Sequence, residues 1–179
     1  MAYSDIKSIR WVASKSRAVK AALKDYQATI THLEQVLETS KKTDEKAQAK
    51  KLHHEMVQIK FVKYMHLMMD IPTFVTATSQ QFQIADLLIT ECSEAINTFY
   101  TQLHVLTVKP GQNLHEFYTE FDPSSRMHKG VRLNGPLPKD FHEDNDIQTF
   151  VSKMGDDILH RFENLAEPPI CHFKVFIIT

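Results

Sequence analysis

The sequence predicts a mainly all-α protein in which long antiparallel helices form a bundle-like array. None of the four glycines and only one of the seven prolines precedes residue 110, so residues 1–109 contain few helix breakers. Apolar residues in this part recur at steps of three and four, the spacing of one helix face. Residues 110–179 hold the remaining breakers and are predicted to be loop-rich, with one or two short strands.

This contrast predicts the domain organisation. Residues 1–109 are interpreted as a long-helix core and residues 110–179 as a loop-rich extension with a helix at about 146–165. The extension belongs either to the same domain or to an incomplete second one. A total of 179 residues suits one domain of ordinary size. The apolar, β-prone residues 173–179 are expected to form a last strand or an exposed edge.

The first helix is predicted from about residue 15 to residue 39, with Ser14 as its N-cap. Its apolar stripe is close to a heptad seam and needs a packing partner. The stripe consists of Val19, Leu23, Tyr26, Ile30, Leu33 and Leu37.

The second helix is predicted to follow a polar connection at 39–44, with Thr43 or Asp44 as its cap. Pro72 is expected to break or kink it, because proline lacks the backbone N–H and clashes with the preceding turn. Residues 73–82 would then continue in a new direction. The predicted buried face consists of Leu52, Met56, Ile59, Val62, Met65 and Met69.

Three further elements are predicted downstream. Residues 91–106 read as a helix whose shared face is Cys92, Ile96, Phe99, Leu103 and Leu106. Residues 115–121 are expected to form one or two helical turns, and 129–133 are the strand-like patch. A final helix capped by Asp146 would carry Ile147, Phe150, Met154, Ile158 and Phe162, and Pro168-Pro169 would stop it.

Charge is distributed unevenly along the chain, although the net charge is only −1. Residues 1–63 carry 13 Lys/Arg against 7 Asp/Glu, whereas residues 111–179 carry 7 against 11. A basic N-terminal part favours contact with a phosphate backbone. The alternative is a solvated helix surface rich in lysine.

The two cysteines, Cys92 and Cys171, do not make a disulfide framework. Cys92 lies in a helical apolar pattern and is predicted to be a buried thiol. The N-terminus has no apolar signal region and no run reaches membrane-spanning length, which predicts an intracellular soluble protein without a membrane partner.

The sequence contains no recognisable metal or cofactor motif. Of the ten histidines, the adjacent His53 and His54 point to different helix faces and do not chelate together. The acidic run at 143–146 lacks the spacing of a calcium loop and reads as a loop and helix cap. No nucleophile elbow, P-loop or dinucleotide fingerprint occurs, so no metal ligands and no cofactors are predicted.

Arg10 and Trp11 are the remaining candidate residues, and Trp11 is the only tryptophan. An aromatic ring beside an arginine at a helix start can stack on a base while the arginine meets a phosphate. The alternative is a tryptophan that packs under the first helix.

The residues around this pair carry a family resemblance. Residues 9–15 (Ile-Arg-Trp-Val-Ala-Ser-Lys), followed by 17–21, Tyr26 and 32–34, resemble the Arg-Trp motif region of hAT-type transposases, especially domesticated or degenerate animal copies. Segments at 61–63, 69–70, 82–83 and 86–87, with Ser79, resemble the following helices in the same order. Phe162 and residues 173–176 resemble a stretch nearer the family's C-terminal portion.

The resemblance implies a ribonuclease H-like core interrupted by a large helical insertion, with the Arg-Trp pair at the entry to that insertion. The family's tryptophan lies near the active site and is associated with the DNA end, including a flipped base. Arg10 and Trp11 are the only matching functional positions and are the predicted DNA-binding residues. The catalytic aspartates of the family belong upstream of the motif and the glutamate beyond the insertion, so no catalytic residues and no enzyme activity are expected.

The expected function is therefore that of a non-catalytic remnant of a hAT-like transposase. Its expected partners are DNA ends, bound weakly, or a protein bound through the apolar helix faces, and the resemblance adds the nucleus as a location. The alternative is a structural helical interaction domain with no nucleic-acid role. A third hypothesis is an active transposase fragment that needs a second chain.

Overall fold

The computed structural model describes residues 16–84 and 88–163. The described part is mainly helical, which confirms the all-α prediction. The helices are α1 (Tyr26–Thr39), α2 (Thr43–Met56), α3 (Ile59–Gln81), α4 (Ile89–Val108), α5 (Gln112–Glu120) and α6 (Asn145–Arg161). The strands are β1 (Met127–His128) and β2 (Val131–Arg132), and Phe141–Glu143 forms a 3-10 turn.

The chain divides into two compact units. Among the described residues, unit A comprises 16–70 and 111–139, and unit B comprises 71–84, 88–110 and 140–163. Each unit combines residues from both sides of position 110. The predicted separation of 1–109 from 110–179 into folding domains stays a prediction.

Unit A begins with a helical hairpin. Residues 16–24 are helical and a turn at Asp25 separates them from α1, so the helix predicted from 15 to 39 is interrupted. Ser14, its predicted cap, lies outside the described residues. The predicted stripe is buried at Tyr26, Ile30 and Leu33, half-buried at Val19, Leu23 and Leu37, and α1 packs against α2.

The start of α2 differs from the prediction. Its N-cap is Lys42, which makes no side-chain capping bond, so the predicted capping by Thr43 or Asp44 is wrong. Glu45 organises the preceding loop instead, because its carboxylate accepts from Ser40 Oγ (2.9 Å) and Lys42 Nζ (2.7 Å). This carboxylate also lies in the first turn of α2, where its negative charge interacts favourably with the positive end of the helix dipole.

A tertiary backbone contact separates α2 from α3. The amide of Ile59 donates to the carbonyl of Asn134 (2.9 Å), and the amide of Asn134 donates to the carbonyl of Val57 (2.7 Å). Residues 57–59 therefore pair with a distant loop rather than continue the helix that their apolar spacing suggests.

Helix α3 continues through Pro72, so of the predicted break or kink the break is wrong, and the kink stays a prediction. Proline removes the donor for the carbonyl of Met68 and costs about 3 kcal/mol in a helix interior. Burial of Leu67 and Ile71, which precede the proline in the same helix, helps to offset that cost.

The core of unit A joins its helices to the β hairpin. Phe117 and Phe121 of the α5 region stack with ring centroids 5.6 Å apart. Burial of these aromatic rings anchors α5 against the rest of the unit. The buried cluster consists of Tyr26, Ile30, Val57, Ile59, Val62, Phe117, Phe121, Val131 and Leu133.

The hairpin strands are antiparallel, with His128 opposite Val131. Between them, Lys129 (φ 47°) and Gly130 (φ 78°) form a two-residue turn. Positive φ at both positions is the geometry of a type I′ turn, which matches the twist of paired strands. The patch predicted as a strand at 129–133 therefore contains the turn as well as β2.

In unit B, α4 packs against α6. The predicted face of α4 is confirmed by the burial of Ile96, Phe99, Leu103 and Leu106, whereas Cys92 is only half-buried and the prediction of a buried thiol is wrong. Cys92 is less buried than the rest of this face because it lies in the first turn of α4, which begins at Ile89. Cys92 is a free cysteine.

The start of α6 lies earlier than predicted. Asp144 is the N-cap, and its carboxylate accepts from the amide of Ile147 (3.4 Å), so the prediction of Asp146 as the cap is wrong. Asp144 lies three residues before Ile147, the spacing at which an N-cap side chain reaches a free amide of the first turn. The buried face runs over Ile147, Val151 and Gly155, while the predicted Phe150, Met154 and Ile158 are half-buried and Phe162 is exposed.

Within the described residues, none of the helices is both long and apolar enough to cross a membrane. The predicted strand at 173–179, the stop at Pro168-Pro169 and Cys171 lie outside the described residues.

Candidate functional site

The predicted DNA-binding residues Arg10 and Trp11 lie outside the described residues. Neither the base-stacking role of Trp11 nor the alternative of packing under the first helix is tested by the geometry. The residues that follow them are described from residue 16 onward, and these form the first candidate surface.

A row of cations runs along the helical residues 16–24. Arg17, Lys20 and Lys24 are all exposed and are separated by three and four positions, which puts them on one helix face. They span about 10 Å along the helix axis at 1.5 Å per residue. None of the three forms a salt bridge within the described part of the chain. We call Arg17, Lys20 and Lys24 the basic stripe.

The two units differ in charge. Among the described residues, unit A contains 14 Lys/Arg and 10 Asp/Glu, whereas unit B contains 3 and 9. The balances are therefore +4 and −6. Lys41, Lys50 and Lys51 add further exposed cations to unit A. A surface with this balance attracts polyanions through long-range electrostatics.

Unit B contains an open apolar groove of about 200 Å³. Phe82 and Phe162 face each other there with ring centroids 6.1 Å apart. Its size suits one or two apolar side chains rather than a large cofactor. The apolar groove is lined by Val75, Thr78, Ser79, Phe82, Ile96, Phe99, Met154, Ile158 and Phe162.

Unit A contains a buried carboxylate that caps a helix from a distance. Asp70 Oδ1 on α3 accepts from the amide (3.0 Å) and the side-chain Nδ2 (2.8 Å) of Asn113, and Oδ2 accepts from the amide of Leu114 (3.0 Å). These amides belong to the first turn of α5, whose own N-cap, Gly111, has no side chain to offer. Asp70 therefore replaces the missing local cap.

One turn away, two imidazole rings meet in the core. His66 is 2% exposed and His128 is 1% exposed, and their ring centroids lie 5.3 Å apart in an edge-to-face arrangement. His66 Nδ1 donates to the carbonyl of Asn113 (2.9 Å), because a carbonyl can only accept. His66 Nε2 and both ring nitrogens of His128 are buried and have no hydrogen-bond partner among the described residues. We call these two residues the histidine pair.

The environment of the histidine pair disfavours a positive charge. Burial is the main cause that lowers the pKa of His66 below its ordinary value. Burial, and next the neighbouring His66, lower the pKa of His128 to about 4. Both rings are therefore neutral at pH 7.

Sequence reasoning missed the histidine pair and the Asp70 cap. It assigned the buried face of the second helix to Met65 and Met69, which are half-buried, while His66 and Asp70 are buried. The available signal was the four-residue spacing of His66 and Asp70, which puts both on one helix face. Polar residues normally mark the solvent side, so only the tertiary contacts identify this face as internal.

Among residues 16–84 and 88–163, no three or more His, Cys, Asp or Glu side chains are grouped so that they could hold a metal ion. His53 contacts Glu34 Oε1 at 3.3 Å, and His54 is exposed.

No protein-family model matches this chain, and no solved structure matches it.

Proposed function

We propose that this chain is a non-catalytic, hAT-transposase-like helical module that binds nucleic-acid ends weakly, through the basic stripe of unit A and through the predicted residues Arg10 and Trp11. The observation that carries the proposal is the basic stripe, which directly follows Arg10 and Trp11 in the sequence. A nuclear location belongs to the same proposal, because it derives from the family resemblance.

The basic stripe suits a phosphate backbone for electrostatic reasons. Three exposed cations over about 10 Å can each displace a counterion from neighbouring phosphates of a nucleic-acid strand. Because Arg17, Lys20 and Lys24 have no carboxylate partner within the described residues, phosphate would not have to compete with an internal salt bridge. Such binding is independent of sequence and strongly dependent on salt.

Arg10 and Trp11 would add selectivity for an unpaired end. Stacking of an aromatic ring on a base contributes about 1–3 kcal/mol to binding, as judged from substitution of the aromatic residue by alanine. An adjacent arginine can bind the flanking phosphate. A fully paired blunt duplex offers no such base. In this proposal the basic stripe supplies general affinity, and Trp11 distinguishes a single-stranded end from a duplex.

The test uses the full chain and a fluorescently labelled hairpin DNA with a single-stranded end, and measures anisotropy from about 50 to 200 mM salt. The triple variant Arg17→Ala, Lys20→Ala, Lys24→Ala is compared with Lys41→Ala, Lys50→Ala, Lys51→Ala. The second variant removes the same charge from other exposed positions of unit A. Circular dichroism of both variants verifies that helix content is retained.

We expect the stripe variant to bind the DNA at least about tenfold more weakly than wild type. The magnitude of the slope of log K against log salt concentration should fall by about 2–3, because three phosphate contacts are lost. The control variant should lose clearly less. Equal losses would show that only the overall charge of unit A matters, and would overturn the stripe as the site. Absence of wild-type binding below about 100 μM at low salt would overturn nucleic-acid binding altogether.

Trp11→Ala tests the end-specific part separately. It should weaken binding to the single-stranded end about tenfold while leaving binding to a blunt duplex nearly unchanged. Equal effects on both DNAs would assign Trp11 to packing.

A second candidate function rests on the apolar groove. Its lining fits the apolar side chains of a partner helix, and the −6 balance of unit B favours a partner helix whose flanks carry Lys or Arg. In this case the chain is a helical protein-interaction domain with no nucleic-acid role.

This candidate is tested with Phe162→Asp, which places a charge in the groove at a position that is 39% exposed. Val105→Asp, at an exposed position of α4 that does not line the groove, is the matched control. Binding of a hydrophobic dye, and of a basic amphipathic helical peptide, should fall in the first variant alone. A wild-type protein that is monomeric by light scattering and binds neither dye nor peptide would exclude the groove as an interaction site.

A further inference from the structure

We propose that the histidine pair is an acid-sensitive latch: protonation of either ring opens the packing of α3 against α5 and the β hairpin within unit A. The proposal starts from three buried ring nitrogens that have no hydrogen-bond partner in the part of the chain that the structure describes. Buried polar atoms are normally paired, so an unpaired cluster in a core requires an explanation. It is independent of the proposed nucleic-acid binding.

The rings connect three elements of unit A. His66 belongs to α3 and His128 to β1, and both pack on the ring of Phe117 from α5, at centroid distances of 5.8 and 5.4 Å. His66 also holds the first turn of α5 through the carbonyl of Asn113. A change in the charge of either ring therefore alters the packing contacts of α3, α5 and β1.

The described carboxylates that act on the pair, Glu116 and Glu120, are both exposed and do not provide a buried counterion. Lys129 opposes protonation of both rings, and His66 also opposes protonation of His128. Glu120 favours protonation of both, and Glu116 favours that of His66. However, Glu120 is engaged by Lys129 Nζ at 3.1 Å and has a side chain that is 42% exposed, so water and lysine weaken its effect.

Protonation has a defined structural consequence. His66 already donates through Nδ1, so a proton would add to Nε2, which has no acceptor within residues 16–84 and 88–163. On His128 a proton would leave two N–H groups in the core, again without acceptors. A second proton would place two cations with ring centroids 5.3 Å apart. A buried, unpaired cation is far less favourable than a hydrated one, so the open form binds the proton better.

The sign of the pH dependence follows from the lowered pKa values. The open form takes up protons near the ordinary histidine pKa of 6.5, whereas the packed form of His128 does so only near 4. The stabilisation by neutral rings is therefore complete above about pH 6.5 and is lost as the pH falls towards about 4. For His128 alone, this difference predicts a roughly 30-fold rise in the opening equilibrium at pH 5 relative to neutral pH.

The experiment follows opening of the full chain by hydrogen exchange and mass spectrometry between pH 7.5 and 5, with rates corrected for intrinsic exchange. Peptides from 59–70 and 111–139 report on unit A, and peptides from α4 and α6 are the internal reference. Wild type is compared with His128→Phe, which keeps an aromatic ring but cannot be protonated. His54→Gln, at an exposed histidine of the same unit, is the matched control.

We expect the opening constant of unit A to rise about 30-fold in wild type and in His54→Gln. In His128→Phe the rise should be several-fold smaller. Equal rises in all three proteins would overturn the proposal.

NMR titration of the imidazole signals keeps the proposal testable if His128→Phe fails to fold. In wild type, both rings should remain neutral as the pH falls through 6 and should gain protons together with the loss of unit A signals. Two rings that titrate near pH 6.5 in the intact fold would overturn the latch.

Discussion

Gly111 lies so close to the carboxylate of Asp70 that a Cβ atom at residue 111 would be 2.3 Å from Asp70 Cγ. The glycine backbone has φ −64° and ψ 171°, which any residue adopts. The requirement for glycine is therefore one of space: it allows a carboxylate from α3 to reach the first amides of α5. This contact makes the start of α5 a tertiary feature.

Gly111→Ala should destabilise unit A by about 1–3 kcal/mol, because the methyl group displaces the Asp70 cap. Chemical denaturation of Gly111→Ala, Asp70→Ala and the double variant measures the coupling between them. Once Asp70 is truncated, Gly111→Ala should cost little more. If the two losses simply add, the close approach does not determine the effect.

Tyr26→Phe removes one defined hydrogen bond. Tyr26 is 3% exposed, and its hydroxyl donates to the carbonyl of Met56 at 2.8 Å, linking the start of α1 to the end of α2. We expect a loss of about 1 kcal/mol, since a partly buried hydrogen bond is removed. Tyr100→Phe is the control, because no hydrogen bond of the Tyr100 hydroxyl is seen in the described part; it should change stability by less than about 0.5 kcal/mol. Comparable losses would contradict this account.

Pro72→Ala should stabilise the protein. Proline in the interior of α3 withholds a backbone donor, and alanine restores it while improving helix propensity. The expected gain is about 1–3 kcal/mol, measured by the midpoint of urea unfolding. Pro136→Ala, in an exposed loop, should give no gain, because its only effect is a more flexible unfolded chain. Destabilisation by Pro72→Ala would indicate that α3 needs the proline.

Gly130→Ala tests the hairpin turn. The residue has φ 78°, where an L-residue costs about 1–2 kcal/mol, so a loss of that size is expected in thermal unfolding. An added Cβ would also lie 2.7 Å from the flexible amide end of Gln27. The loss should persist in a Gln27→Ala background if the backbone conformation is the cause. Its disappearance there would assign the effect to side-chain crowding instead.

The buried helix faces that the sequence predicts correctly depend only on the local spacing of apolar residues. The three- and four-residue spacing of Ile96, Phe99, Leu103 and Leu106 identifies the buried face of α4, and the faces of α1 follow in the same way. A helix buries one stripe whatever its partner is, so periodicity is sufficient to locate it. The basic stripe is equally visible in the sequence once residues 16–24 are known to be helical.

Helix ends, helix breaks and the buried polar residues required the tertiary structure. The break at Val57 depends on backbone pairing with Asn134, 77 positions away, and the cap of α5 depends on Asp70, 41 positions before Gly111. The roles of His66 and His128 likewise arise only when α3, α5 and the hairpin meet. Helix content thus follows from local spacing. The placement of polar groups follows from partners that are distant in sequence, because a buried donor or acceptor must be satisfied by whichever group the fold brings to it.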